Sequence, residues 1–145
     1  MRPHFLPHAG LQGLIDAPTE RGYQVIGPQV KEGAVVLAPL TEAKALPWGV
    51  RDAQLPGSYT LEEGDAQRAF DWVNGPSSLK PFLFKQQDDL WQSEPDIEDI
   101  TQFESRVLAS RQAILGVRPC DLLARRVHDR VFLPGEHVDI RYQTR

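Results

Sequence analysis

Apolar positions in this chain come in short bursts, and their period changes along it. Leu11, Leu14 and Ile15 stand at i, i+3 and i+4, predicting a short amphipathic helix within residues 8–19, before Pro18. Tyr23-Gln24-Val25-Ile26 reads as a strand stopped at Gly27-Pro28, and Ala34-Val35-Val36-Leu37-Ala38 as another ended by Pro39. The second run is β-branched and does not alternate, which suits a strand covered on both faces. The two runs are predicted to pair as a hairpin.

The middle of the chain is more broken. Leu46-Pro47-Trp48-Gly49 fits no regular element, and Pro56-Gly57 is a turn leading into an alternating strand at 58–61. Residues 70–73 read as a further short strand ended by Asn74-Gly75-Pro76. The apolar run 81–84 reads as a strand after a serine-rich turn, and 88–90 as an extended piece. Five of the eleven residues 94–104 are acidic, the mark of a solvated connection or an exposed helix start. Residues 112–117 then read as a buried strand, Arg118-Pro119 as a turn, and 120–131 as a helix. Strand, turn and helix in succession predict a mixed α/β (α+β) fold of short strands and tight turns, a single domain over residues 1–145.

Composition adds exclusions. Hydrophobic residues make up 41% and charged residues 25% of 145, enough for one core. A net charge of −4 gives nothing to attract a nucleic-acid backbone, and no apolar run is long enough to cross a bilayer. The first ten residues lack the apolar stretch of a signal peptide, and a lone cysteine excludes an internal disulfide. A cytoplasmic location is the expectation.

Two stretches carry candidate chemistry. The first is GVRPCDLLARRVHDRVF, residues 116–132. Cys120, Ala124, Val127 and Val131 recur at helical spacing, which predicts an inward stripe and a thiol packed in the core. Alternatively, a thiol in the first helical turn lies beside unpaired N–H groups that favour its thiolate, with Arg118 adding to the effect and Asp121 opposing it. Such a thiolate could act as a nucleophile or bind metal, although one cysteine and four scattered histidines supply neither an iron–sulfur cluster nor a zinc site. His4 and His8 are four apart, but Pro3 and Pro7 argue against a helix there. The second stretch is residues 75–80, where Ser77, Ser78 and Lys80 could hold an anion, or form no more than a turn; the spacing is not that of a P-loop. Trp48 and Trp91 are candidates for a binding surface.

Four stretches, taken in order, resemble one family: YQVIGP (23–28), LPWGVRDAQLPGSYTL (46–61), GPSSLKPFLFK (75–85) and LGVRPCDLLA (115–124). They are similar to the amino-terminal region of the iron–sulfur beta subunits of soluble nickel–iron sulfhydrogenases. The A subunit of anaerobic sulfite reductase and other 4Fe-4S dicluster proteins look alike over the same region. The resemblance spans residues 22–142. In that family the region precedes a ferredoxin-like segment whose cysteine repeats hold 4Fe-4S clusters, and this sequence contains none of those repeats. The resemblance therefore implies a non-catalytic accessory domain of an electron-transfer oxidoreductase, holding no cofactor alone. Its partners would be a cluster-bearing domain or redox subunits, one of which could carry flavin. It also implies that Cys120 is a ligand to a shared cluster or part of a cofactor-facing turn, with Asp121 a second ligand or a helix-start carboxylate. Arg118 would offset the charge of a cluster or anionic cofactor. A scaffold domain without redox function and a cysteine-nucleophile enzyme are the competing expectations.

Overall fold

The computed structural model describes residues 4–73, 75, 78–84 and 111–144. Its elements are α1 (Leu11–Glu20), β1 (Gln24–Lys31), β2 (Ala34–Pro39), β3 (Val50–Leu55), β4 (Ser58–Glu63), α2 (Lys80–Leu83), β5 (Gln112–Ile114), α3 (Pro119–Phe132) and α4 (Ile140–Gln143). Helices and sheets together make the mixed α+β fold that the sequence predicts.

β1 lies at the centre of a three-stranded sheet of order β2-β1-β5, antiparallel to β2 and parallel to β5. The expected β1–β2 hairpin is present. Its tight connection places Glu32 at φ 50 and Gly33 at φ 74, the left-handed pair that a two-residue hairpin turn requires. β1 does not stop at Gly27-Pro28 as the sequence suggested. The register explains how it continues. Leu40 N–H donates to the Val25 carbonyl (2.8 Å), so even-numbered positions of β1 turn their N–H groups away from β2, toward β5. β5 pairs β1 only from Gln24 to Ile26. The N–H that Pro28 lacks therefore falls beyond the end of the partner strand, where no ladder bond is lost.

α1 likewise runs two residues past Pro18, because the missing N–H removes only the bond to solvent-exposed Leu14. It packs on β1 and supplies Ile15 to a core with Val25, Leu40, Leu46 and Ala69. By strand alternation Ile26 and Val35 share the opposite face of the sheet, and both are buried. Trp72 and Asp121 close over that face beside Val35 and Leu37.

β3 and β4 form a separate two-stranded hairpin around Pro56-Gly57. The Tyr59 hydroxyl on β4 accepts from Val35 N–H (3.3 Å), covering an outward-facing donor of edge strand β2. β3 is absent from the sequence reading, since Arg51, Asp52 and Gln54 leave it no apolar period. Residues 70–73 form no strand, and residues 80–83 are helical rather than a strand, with Pro81 in the first turn where its ring is tolerated. The pieces predicted at 88–90 and 94–104 lie outside the described residues, as does Trp91.

Candidate functional site

The stretch that carries the candidate chemistry folds as a tight turn into α3. Leu115 N–H donates to the Ile26 carbonyl (2.8 Å), extending β5 by one residue before Gly116 turns the chain at φ 81. A Cβ on Gly116 would stand 3.2 Å from the Phe70 ring and 3.4 Å from Pro28, so glycine serves both the backbone angle and the close approach. Arg118 precedes α3 in extended conformation, and Pro119 occupies the first helical turn.

Arg118 is turned inward. Its Nη2 donates to the carbonyls of Trp72 and, at 3.3 Å, Phe70. Its guanidinium lies 4.6 Å over the Trp72 ring, whose own Nε1 donates to the Ala69 carbonyl (3.1 Å). One side chain thus ties the start of α3 to the 70–72 segment across more than forty residues of chain. Arg118 Nε is buried with no hydrogen-bond partner among the described residues.

Cys120 is exposed, and this overturns the expectation of a thiol in the core. The whole stripe read as inward faces out: Val127 is 58% and Val131 66% exposed, and Ala124 is exposed beside them. Leu123, adjoining the stripe on the helix surface, is 60% exposed. The reason is that α3 rests on a different face. His128 and Phe132 meet Phe84 and Tyr142 in a cluster of rings with centroids 5.1–6.2 Å apart. The Tyr142 hydroxyl donates to Asp129 (2.8 Å), and Asp129 in turn pairs with Arg125 (3.7 Å). Asp139 caps α4 by accepting from Tyr142 N–H (3.0 Å), which holds the tyrosine against α3. Burial, and then the bond to Asp129, push the Tyr142 phenol above its ordinary pKa. Sequence reasoning missed this cluster. The available signal was His128 and Phe132 at i and i+4, an aromatic pair on one side of the helix.

Asp121 lies in the first turn of α3, half-buried, where a carboxylate suits the helix dipole. The pit it shares with Val35, Leu37, Trp72, Gly75 and Gly116 has a volume of about 10 Å³, room for no more than one water. Gly75 is the point at which the second candidate stretch meets the first. Ser77 lies outside the described residues. Ser78 Oγ accepts from Lys80 N–H (3.3 Å) at the start of the four-residue helix α2, and both residues are exposed. His8 sits in a 3-10 turn with its ring 5.4 Å from that of Trp48, so it shares no helical face with His4.

Among the described residues no group of three or more His, Cys, Asp or Glu side chains could hold a metal ion, and no helix is long and apolar enough to cross a membrane. Compared with protein families, curated proteins and solved structures, the chain matches none. What the described residues assemble is a helix fixed by an arginine at its head and rings along its flank. Its outer side is apolar, begins with an exposed thiol, and carries Arg126 and Arg130 along one margin.

Proposed function

We propose that this chain is a non-catalytic accessory domain of an iron–sulfur electron-transfer subunit, and that α3 is the surface by which it docks to a cluster-bearing domain. The observation that carries the reading is the outer side of α3. Leu123, Val127 and Val131 each expose more than half of their surface along one 14-residue helix. The arginines beside them favour an acidic rim on the partner. Cys120 stands at one end of this surface, where a thiol could complete or adjoin a 4Fe-4S cluster held by the partner. The resemblance at GVRPCD supplies the cluster; the exposed helix supplies the surface.

Titration with an oxidised ferredoxin carrying two 4Fe-4S clusters tests it, read by backbone amide NMR shifts. Shifts concentrated on residues 120–131 are expected, as is their loss in Val127→Asp. Shifts confined to other elements, or none, would overturn the docking reading.

A scaffold domain with no redox role is the second reading, favoured by one observation. The Arg118 guanidinium is engaged with Trp72 and Phe70 and turned away from the outer side of α3. Cys120→Ser separates the two readings: in a complex it alters the cluster's electron paramagnetic resonance signal under the first and leaves it unchanged under the second.

A further inference from the structure

A cleft of about 390 Å³ lies between the amino-terminal segment and the 67–71 turn, bordered by Leu6, His8, Trp48, Arg68 and Phe70, with Asp71 at its rim. Its volume falls within the range of small-molecule sites. The Trp48 indole is held in place by Nε1 donating to the Ala43 carbonyl (2.9 Å). The His8 ring stands against it at 59°, so two ring systems meet at an open angle. Ala69 in the turn is buried, and Gly49 N–H ties the turn to the Trp48 segment through the Arg68 carbonyl (3.0 Å). Leu6 folds back over Gly10, where a Cβ would come within 2.6 Å of its Cδ1.

The charges at the rim decide what fits. Arg68 faces two carboxylates, Asp65 at 3.4 Å and Asp71 at 3.8 Å. An incoming phosphate or carboxylate would therefore meet a cation already flanked by acids, Asp71 on the rim and Asp65 behind it. Ring faces, by contrast, offer offset-stacked or edge-on contact to any flat π-system, and the His8 and Gln67 side chains add donors and acceptors at its edge. We infer that this cleft binds a planar heteroaromatic ring of nucleobase size that carries no anionic group. The inference is independent of the docking proposed for α3.

The test is titration of the full chain with adenosine, lumichrome and adenosine monophosphate, following the Trp48 indole N–H resonance. Adenosine or lumichrome should move that resonance, with the monophosphate binding several-fold more weakly than the nucleoside. Trp48→Leu, followed on the backbone amides of Gln67 and Ala69 because the indole is gone, should weaken binding roughly tenfold, the loss of one stacking partner. His8→Ala should weaken it to a smaller degree. Should Trp48→Leu fail to fold by circular dichroism, His8→Ala and Leu6→Asp carry the test, because both positions are exposed. The inference is overturned if neither neutral ring moves the Trp48 resonance, if the folded variants bind as the parent does, or if the monophosphate binds more tightly than adenosine.

Discussion

α1 and α3 are both amphipathic helices, yet they put their apolar residues to opposite use. α1 sends Ile15, 1% exposed, into the core against β1. α3 is longer and buries no residue fully, turning Leu123, Val127 and Val131 to solvent. It is held from the other side by rings, one buried tyrosine and an arginine. Helix amphipathicity by itself therefore does not say which side meets the core. The side that finds partners within the chain does, and in α3 that side is aromatic and polar.

The contrast is sharpest at Ile15. Ile15→Ala should lower stability by roughly 2–5 kcal/mol, since the side chain leaves a cavity among Val25, Leu40 and Leu46. Urea denaturation followed by far-ultraviolet circular dichroism measures it. A loss below about 1 kcal/mol, the level of a partly exposed site, would mean that α1 is not the core helix described here.

Next in size is the tie at the head of α3. Arg118→Ala removes two charge-assisted bonds to the Trp72 and Phe70 carbonyls and the contact over the Trp72 ring, and should cost roughly 2–3 kcal/mol. Arg118→Lys keeps the charge without the planar fork and should recover only part of the loss. The same denaturation experiment distinguishes them. Equal stability of the lysine variant and the parent would show that charge alone anchors α3.

Tyr142→Phe tests the flank of the helix, and should cost about 1 kcal/mol near neutral pH for the lost bond to Asp129. The pH dependence has a definite sign. The folded state raises the Tyr142 pKa above 10.0, so the native phenol holds its proton more tightly than the unfolded one. This contribution to stability is complete below pH 10.0 and is lost as pH rises through the folded pKa. The parent should therefore lose stability in alkali more steeply than the phenylalanine variant, and the gap between them should close. A gap that stays constant with pH would mean the hydroxyl is not coupled to folding.

The same division between α1 and α3 explains what the sequence allowed to be read. The β1–β2 hairpin was legible because two apolar runs flank a short polar connection, and α1 because Leu11, Leu14 and Ile15 keep helical period. The extent of α3 was legible too, with Pro119 at its start. Its orientation was not. Cys120, Ala124, Val127 and Val131 satisfy a core pattern, whereas the contacts that decide the packing come from Phe84, distant in sequence, from Tyr142 beyond the end of the helix, and from the Asp129 carboxylate. β3 was missed because a two-stranded hairpin with little burial needs no apolar alternation. Residues 81–84 were misread because four apolar residues fit a strand or a helix turn equally well, and the position of Pro81 decided it. The cleft beside Trp48 left no trace in periodicity, since it is assembled from three separate segments.

The smallest expected effect on stability falls on the outer side of α3, and this is where the comparison is most exposed to failure. Val127→Asp replaces an apolar residue at the middle of a helix, which in the core would be ruinous. On a helix surface the two residues have similar propensity, and Val127 is 58% exposed, so the change should stay within about 0.5 kcal/mol in the chain alone. The same substitution places a carboxylate at the centre of the proposed contact, where no cation on the partner is expected. Ferredoxin binding should then weaken at least tenfold while the urea midpoint holds. A large loss of stability would mean that Val127 is covered within the chain, and α3 would then be a second α1. Unchanged stability with unchanged binding would leave the exposed stripe intact as a description and remove its assignment as the docking surface.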